Sequence, residues 1–91
     1  MKGHVAVITG AGSGFGREFA LLGARRGMRL VLADIQADAL AATLAEVHAL
    51  GAEAIVRTVD VADAAQVDAL AHATLQQFGS VHIVFNNAGV G

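Results

Sequence analysis

An α/β domain built on a parallel sheet is the fold class the sequence predicts, from three observations. Apolar runs rich in β-branched residues recur four times, at residues 4–9, 28–34, 53–61 and 81–87. Between them lie stretches with helical spacing of apolar residues, each long enough to cross back over a sheet. The first run ends in "TGAGSGFGRE", where Gly10, Gly12, Gly14 and Gly16 occupy every second position. Strands alternating with helices in this way imply right-handed crossovers. Four strands and three helices make a partial doubly wound fold.

The first run, "HVAVIT", is continuously apolar, as in a strand covered on both faces. A helix from about Gly14 to Arg26 follows, with Phe15, Phe19 and Leu22 at i, i+4, i+7 as its expected inner face. Arg25 and Arg26 suit the negative end of the helix dipole, and Gly27 marks the stop. "MRLVLAD", residues 28–34, is the second strand. The second helix runs from about Asp38 to Leu50, with Leu40, Leu44 and Val47 on one face and Gly51 as its stop. "EAIVRTVDV", residues 53–61, is the third strand. The third helix opens at Asp63, with Gln66 placed as in a capping box. Val67, Leu70, Ala71, Thr74 and Phe78 are expected to line its inner face, and Gly79 ends it. "VHIVFNN", residues 81–87, is the fourth strand.

Composition narrows the possible functions. The chain has 91 residues, 55% hydrophobic and 15% charged, which suits one small domain with a buried core. A net charge of -2 without any basic run gives no electrostatic reason to bind nucleic acid or an anionic membrane. Cysteine is absent, so neither a disulfide framework nor a thiolate metal site is expected, which fits a reducing compartment. His4, His48 and His72 lie too far apart in the pattern to suggest metal ligands. The opening apolar run is short for a signal peptide, and no stretch has the length of a membrane span. A cytoplasmic location is the expectation.

Glycine carries the largest backbone entropy cost of any residue, so four in one turn call for a reason. Bare amides at the start of a helix form an anion site, and phosphate is its usual occupant. A tight strand-to-helix turn that binds nothing is the alternative. The nucleoside triphosphatase loop would need Gly-Lys-Ser/Thr, whereas Arg17 and Glu18 follow Gly16. The strict Gly-x-Gly-x-x-Gly fingerprint fails too, because its third glycine falls on Phe15. What fits is the looser Thr9-Gly10-x-x-x-Gly14-x-Gly16. Asp34, at the end of the second strand, can accept from adenosine ribose hydroxyls and would repel a 2′-phosphate. Neither Ser13 nor Ile35, the neighbours placed to hold such a phosphate, is basic. The reading favours NAD over NADP.

With these residues in hand, the chain resembles the short-chain dehydrogenase/reductase family along its whole length. The resemblance rests on Thr9-Gly10-Ala11-Gly12-Ser13-Gly14-Phe15-Gly16, on Asp34, on Asp60-Val61 and on Asn86-Asn87-Ala88-Gly89. It implies a Rossmann-like fold and a role for each match. Gly10, Ser13, Gly14, Phe15 and Gly16 would wrap the pyrophosphate and its adjoining ribose. Asp34 would hold the adenine ribose, with Ile35 beside it. Asp60 would accept from the adenine amino group while the Val61 N–H donates to the ring. Asn87, Ala88 and Gly89 would lie along the cofactor, although tying neighbouring strands is an equal role for the asparagines. One departure stands out: the family's fourth strand usually opens with Asp where this sequence has His82. That position reads as a structural hydrogen-bonding group and not as a catalytic one.

The resemblance also implies hydride transfer between a nicotinamide and a carbinol or carbonyl carbon, with a Ser, a Tyr and a Lys as catalytic groups. Tyrosine is absent here and the one lysine, Lys2, precedes the first strand. No catalytic residue is therefore assigned within the chain. The 91 residues are expected to be the amino-terminal cofactor-binding part of a single NAD-binding domain, without its catalytic and substrate-binding part. A non-catalytic nucleotide-binding or interaction module derived from the family is the alternative. An open edge on the fourth strand would make the segment marginal, or prone to self-association.

Overall fold

The computed structural model describes residues 3–12 and 14–86. Strands β1 (Val5–Thr9), β2 (Arg29–Asp34), β3 (Ala54–Thr58) and β4 (Ile83–Asn86) form one sheet in the order β3-β2-β1-β4. All three pairings are parallel, with Val7 opposite both Val31 and Val84. Helices α1 (Gly14–Arg25), α2 (Ala37–Ala49) and α3 (Ala64–Phe78) connect them. The expected fold class is thus the observed one. From β1 the chain steps outward to β2 and β3, then returns to β1's other side as β4. The strand order reverses at that point, and ligands of open α/β sheets bind outside the carboxyl ends of the strands there.

Strand periodicity divides the core in two. Ala6, Ile8, Leu30 and Leu32 face α1 and α2, packing on Ala20, Leu21, Ala24, Leu40 and Val47. Val7, Val31 and Ala33 point the other way, toward Val59 and Leu70. Every residue of β1 is buried, as a continuous apolar run requires of a central strand.

Helix α1 corrects one expectation. Its inner face consists of Gly16, Ala20, Leu21, Gly23 and Ala24, while Phe15 is 74% exposed and Leu22 45% exposed. The bulky side chains at this contact come from the sheet, through Ile8, Leu30 and Leu32. The mostly small residues on the helix leave room for them: a Cβ on Gly23 would lie 3.1 Å from Leu30 Cδ2, close enough that the leucine end would have to give slightly. Of the three expected residues Phe19 alone packs against this cluster, half-buried and stacked on Phe85 with ring centroids 4.4 Å apart.

Smaller departures occur in β3 and α3. Strand β3 stops at Thr58, because the chain turns through Asp60, whose carboxylate accepts from the Ala62 N–H at 2.9 Å. Asp63 caps α3 by accepting from the Ala65 N–H at 3.0 Å. Gln66 hydrogen-bonds the Asp63 carboxylate, but its carbonyl accepts from the Asp60 N–H, so the reciprocal half of a capping box is redirected one turn upstream. On α3, Leu70 and Thr74 are buried and Phe78 is half-buried, whereas Val67 and Ala71 are exposed. Helix α2 buries Leu40 and Val47 with Leu44 partly covered, as expected. Among the described residues no helix is long and apolar enough to cross a membrane.

Candidate cofactor site

Parallel strands deliver Gly10, Asp34 and Asp60 to one end of the sheet, each at or just past the carboxyl end of its strand. The glycine turn between β1 and α1 lies at the centre. Its four glycines have two different causes. Gly10 and Gly14 adopt φ of 65° and 59°, a left-handed backbone that side chains disfavour. Gly12 and Gly16 are required by packing. A Cβ on Gly12 would lie 2.7 Å from Ala39 Cβ and 2.8 Å from Asp34 Oδ2, and one on Gly16 would collide with the Gly10 carbonyl. Chain neighbours aside, nothing among the described residues lies within 4 Å of where a Gly14 Cβ would project. The Phe15 side chain lines an outer cleft with Phe19, Leu22 and Phe85.

Asp34 is built into this turn. Its Oδ2 accepts from the Gly12 N–H at 2.8 Å and its Oδ1 from the Gln36 N–H at 3.0 Å. The Ala11 N–H also donates to the Ala33 carbonyl at 3.0 Å, fastening the turn to β2 through the main chain. A carboxylate has about four lone-pair sites. Both oxygens therefore stay able to accept from a ligand while two amides fix their direction. Ile35 follows with its side chain exposed.

Asp60 and Val61 follow β3 as half-buried residues. One Asp60 oxygen serves the Ala62 N–H, as above. The Val61 side chain lines an apolar cleft of about 370 Å³ with Val67, Leu70, Val81 and Val84. At the end of β4, the Thr9 hydroxyl donates to Asn86 Oδ1 at 2.8 Å, joining β1 to β4. The strand-tying role expected of the asparagines is thus seen at Asn86. Ser13, Asn87, Ala88 and Gly89 lie outside the described residues.

Two contacts escape the sequence reading. Gly12 donates the amide that orients Asp34, and only its tight approach to Asp34 and Ala39 reveals this. Arg17 on α1 donates to Glu46 on α2, Nε to Oε1 at 2.8 Å, and clamps the two helices beside the turn. The hydrogen bond from Arg17 holds the Glu46 carboxyl below its ordinary range, and the same bond raises the guanidinium. At the other end of the sheet, His82 Nδ1 accepts from the Val5 N–H at 2.9 Å. The structural hydrogen-bonding role expected of His82 is what the geometry displays.

Comparison with other proteins agrees with this architecture. A family model described as short chain dehydrogenase matches residues 4–91. The chain superposes with a TM-score of 0.95 and 61% identity on a short-chain dehydrogenase/reductase from Burkholderia phymatum solved in complex with NAD, covering 99% of this chain and 32% of that one. An actinorhodin polyketide ketoreductase variant solved with NADPH gives a TM-score of 0.91 at 36% identity, over 98% of this chain and 35% of that one. A cyclohexanol dehydrogenase from Acinetobacter sp. is 40% identical over 86 residues, which are 94% of this chain and 34% of the dehydrogenase. The chain therefore spans about a third of the length of the proteins it matches. The glycine turn, the strand order and these matches together place the chain in the short-chain dehydrogenase family.

Proposed function

We propose that this chain is the NAD-binding portion of an oxidoreductase that moves hydride between NAD and an alcohol or ketone. The observation that carries the reading is Asp34, aimed by two backbone amides across a turn that leaves no space for a side chain at Gly12. An oriented, acceptor-only group suits the paired hydroxyls of a ribose, and its charge opposes a 2′-phosphate. The apolar Ile35 beside it offers no counter-charge to such a phosphate. NAD is accordingly the preferred cofactor, although relatives solved with NAD and with NADPH share the fold.

In this reading the main chain of Gly10, Ser13, Gly14, Phe15 and Gly16 surrounds the pyrophosphate at the positive end of α1. Asp60 and the Val61 N–H present an acceptor beside a donor, the complement of the adenine edge. Asn87, Ala88 and Gly89 run along the cofactor. The nicotinamide supplies the carbon that gives or takes hydride, and the protein supplies its placement. Proton transfer to the substrate oxygen belongs to Ser, Tyr and Lys residues that we place outside these 91 residues, with the substrate pocket. A chain without cysteine suits a cytoplasmic setting, and the free edge of β4 is where self-association would occur.

Titration of the chain with NADH and NADPH tests the assignment. NADH should bind at least about tenfold more tightly, the equivalent of one charge-assisted hydrogen bond. Asp34→Ala should weaken NADH binding about tenfold and narrow the gap to NADPH. Equal or tighter binding of NADPH by the unaltered chain would overturn the reading of Asp34.

A further inference from the structure

At the amino-terminal end of the sheet, opposite the glycine turn, two imidazoles meet. His4 precedes β1 and His82 precedes β4; their ring centroids are 4.7 Å apart, at an interplanar angle of 63°. The His82 N–H donates to the Val5 carbonyl at 3.0 Å, and the Val5 N–H returns a bond to His82 Nδ1 at 2.9 Å. The ring nitrogen thus stands where a strand carbonyl would stand. It can do so only with a lone pair on Nδ1, in a neutral ring that carries its proton on Nε2. His4 makes no comparable bond, since its buried Nδ1 has no hydrogen-bond partner among the described residues.

Strand β4 depends on such ties. It has four residues and, among the described residues, pairs with β1 alone. Side chains fasten it to β1 at both ends, through His82 at its start and through Thr9 to Asn86 at its finish. Of these side chains only the imidazole can turn an acceptor nitrogen into a donor by taking up a proton.

We propose that His82 is a proton-sensitive positioning residue that fastens the amino end of β4 to β1 when neutral and releases it when protonated. Imidazolium carries a proton on both nitrogens, so Nδ1–H would face the Val5 N–H, donor against donor. The ring must then turn away and leave the N–H of a fully buried residue without its acceptor. The exposed position of His82 lets protons reach the ring. The surrounding groups do not rescue the bond. His4 is the titratable neighbour from the segment entering β1. The Arg29 guanidinium of β2 is committed to the Gly3 carbonyl and lies over the Phe78 ring. The last turn of α3 has no basic residue and, through Phe78, no acidic one. Among the described residues no carboxylate is ion-paired with either histidine. The proposal does not depend on which cofactor the chain binds.

The test compares the 91-residue chain with His82→Asn, which keeps an acceptor that does not titrate, and with His82→Ala, which has none. Denaturant unfolding is followed at pH 8 and pH 5. At pH 8 the unaltered chain and His82→Asn should be similar, with His82→Ala less stable. At pH 5 the unaltered chain should fall to the level of His82→Ala, its folded-to-unfolded ratio down about tenfold relative to His82→Asn. Repeating the three in a His4→Asn background removes the imidazole that touches His82, so the remaining difference isolates His82. Parallel pH responses of the unaltered chain and His82→Asn would overturn the proposal. Nitrogen-15 NMR of the ring at pH 8 provides a second check: the proton should sit on Nε2, and a proton on Nδ1 would overturn it. A chain whose Val5 amide shows no exchange protection at pH 8 would also refute it, since the tie must exist before it can be released.

Discussion

The two flanks of β1 are built on different terms. Toward β2 the contacts are dense and largely main-chain: a five-residue parallel register, the Ala11 amide on the Ala33 carbonyl, and the Gly12 amide on Asp34. Small residues of α1 lie close above this flank and close it. Toward β4 the register is shorter, and side chains tie the strand at each end. Val84 is 65% exposed there, and Val67 and Leu75 of α3 are exposed too. The flank that carries the glycine turn and Asp34 is therefore fixed by contacts within these residues. The β4 flank is only partly covered. The geometry of the candidate site is thus held by local contacts, while the β4 side is packed less densely.

The largest expected effect is on the dense flank. Gly16→Ala drives a Cβ into the Gly10 carbonyl, a backbone atom that can move only if the turn moves with it. We expect a loss of about 3 kcal/mol in unfolding free energy, despite alanine's better helix propensity. Gly23→Ala is the control, because its Cβ meets the ends of the Leu30 and Met28 side chains, which can shift. Its cost should stay below about 1 kcal/mol. If the two variants unfold at the same denaturant concentration, the turn is not rigid and the contrast between the flanks fails.

Next comes a matched pair of truncations across the flanks. Ile8→Ala removes a fully buried side chain from the cluster between the sheet and α1, and should cost about 3–4 kcal/mol. Val84→Ala removes a largely exposed one and should change stability by no more than about 0.5 kcal/mol. Comparable losses would mean that β4 is as well packed as β1, through contacts such as self-association in solution. Sedimentation measured alongside the unfolding would identify that case.

Legibility in the sequence follows the same division. The strands can be read because a centrally buried strand must be continuously apolar, as "VAVIT" and "LVLA" are. The face of α1 reads only in part from Phe15, Phe19 and Leu22, of which Phe19 alone packs on the core, for a physical reason. Where a sheet supplies bulky side chains, the contacting helix needs small ones, and the true signal is Gly16, Ala20, Gly23 and Ala24. Asp34 is legible as a residue type at a strand end, but its bond to Gly12 depends on how two loops approach. The Arg17–Glu46 pair joins two helices across 29 positions, and no local pattern encodes such a contact. His82 is legible as a departure with a structural role, while its partner, the Val5 amide, requires the register of β4 on β1.

The smallest expected effect concerns that helix clamp, and its sign can be derived. Both partners are well exposed to solvent, so water and salt screen the pair and its contribution is modest. The hydrogen bond from Arg17 lowers the folded-state titration of Glu46 below its unfolded value. A carboxyl shifted in this direction binds protons more readily in the unfolded chain. Its contribution is therefore fully present above the ordinary carboxylate range and disappears as the pH falls through the lowered folded value. Glu46→Gln should accordingly be less stable than the unaltered chain at pH 7, and the gap should close as the pH falls below the ordinary carboxylate range. Raising the salt at pH 7 should shrink the difference. A gap that persists in acid would show that Glu46 acts through packing between α1 and α2 rather than through charge. The dense flank would then owe its closure to shape alone, and the electrostatic part of the contrast would have to be abandoned.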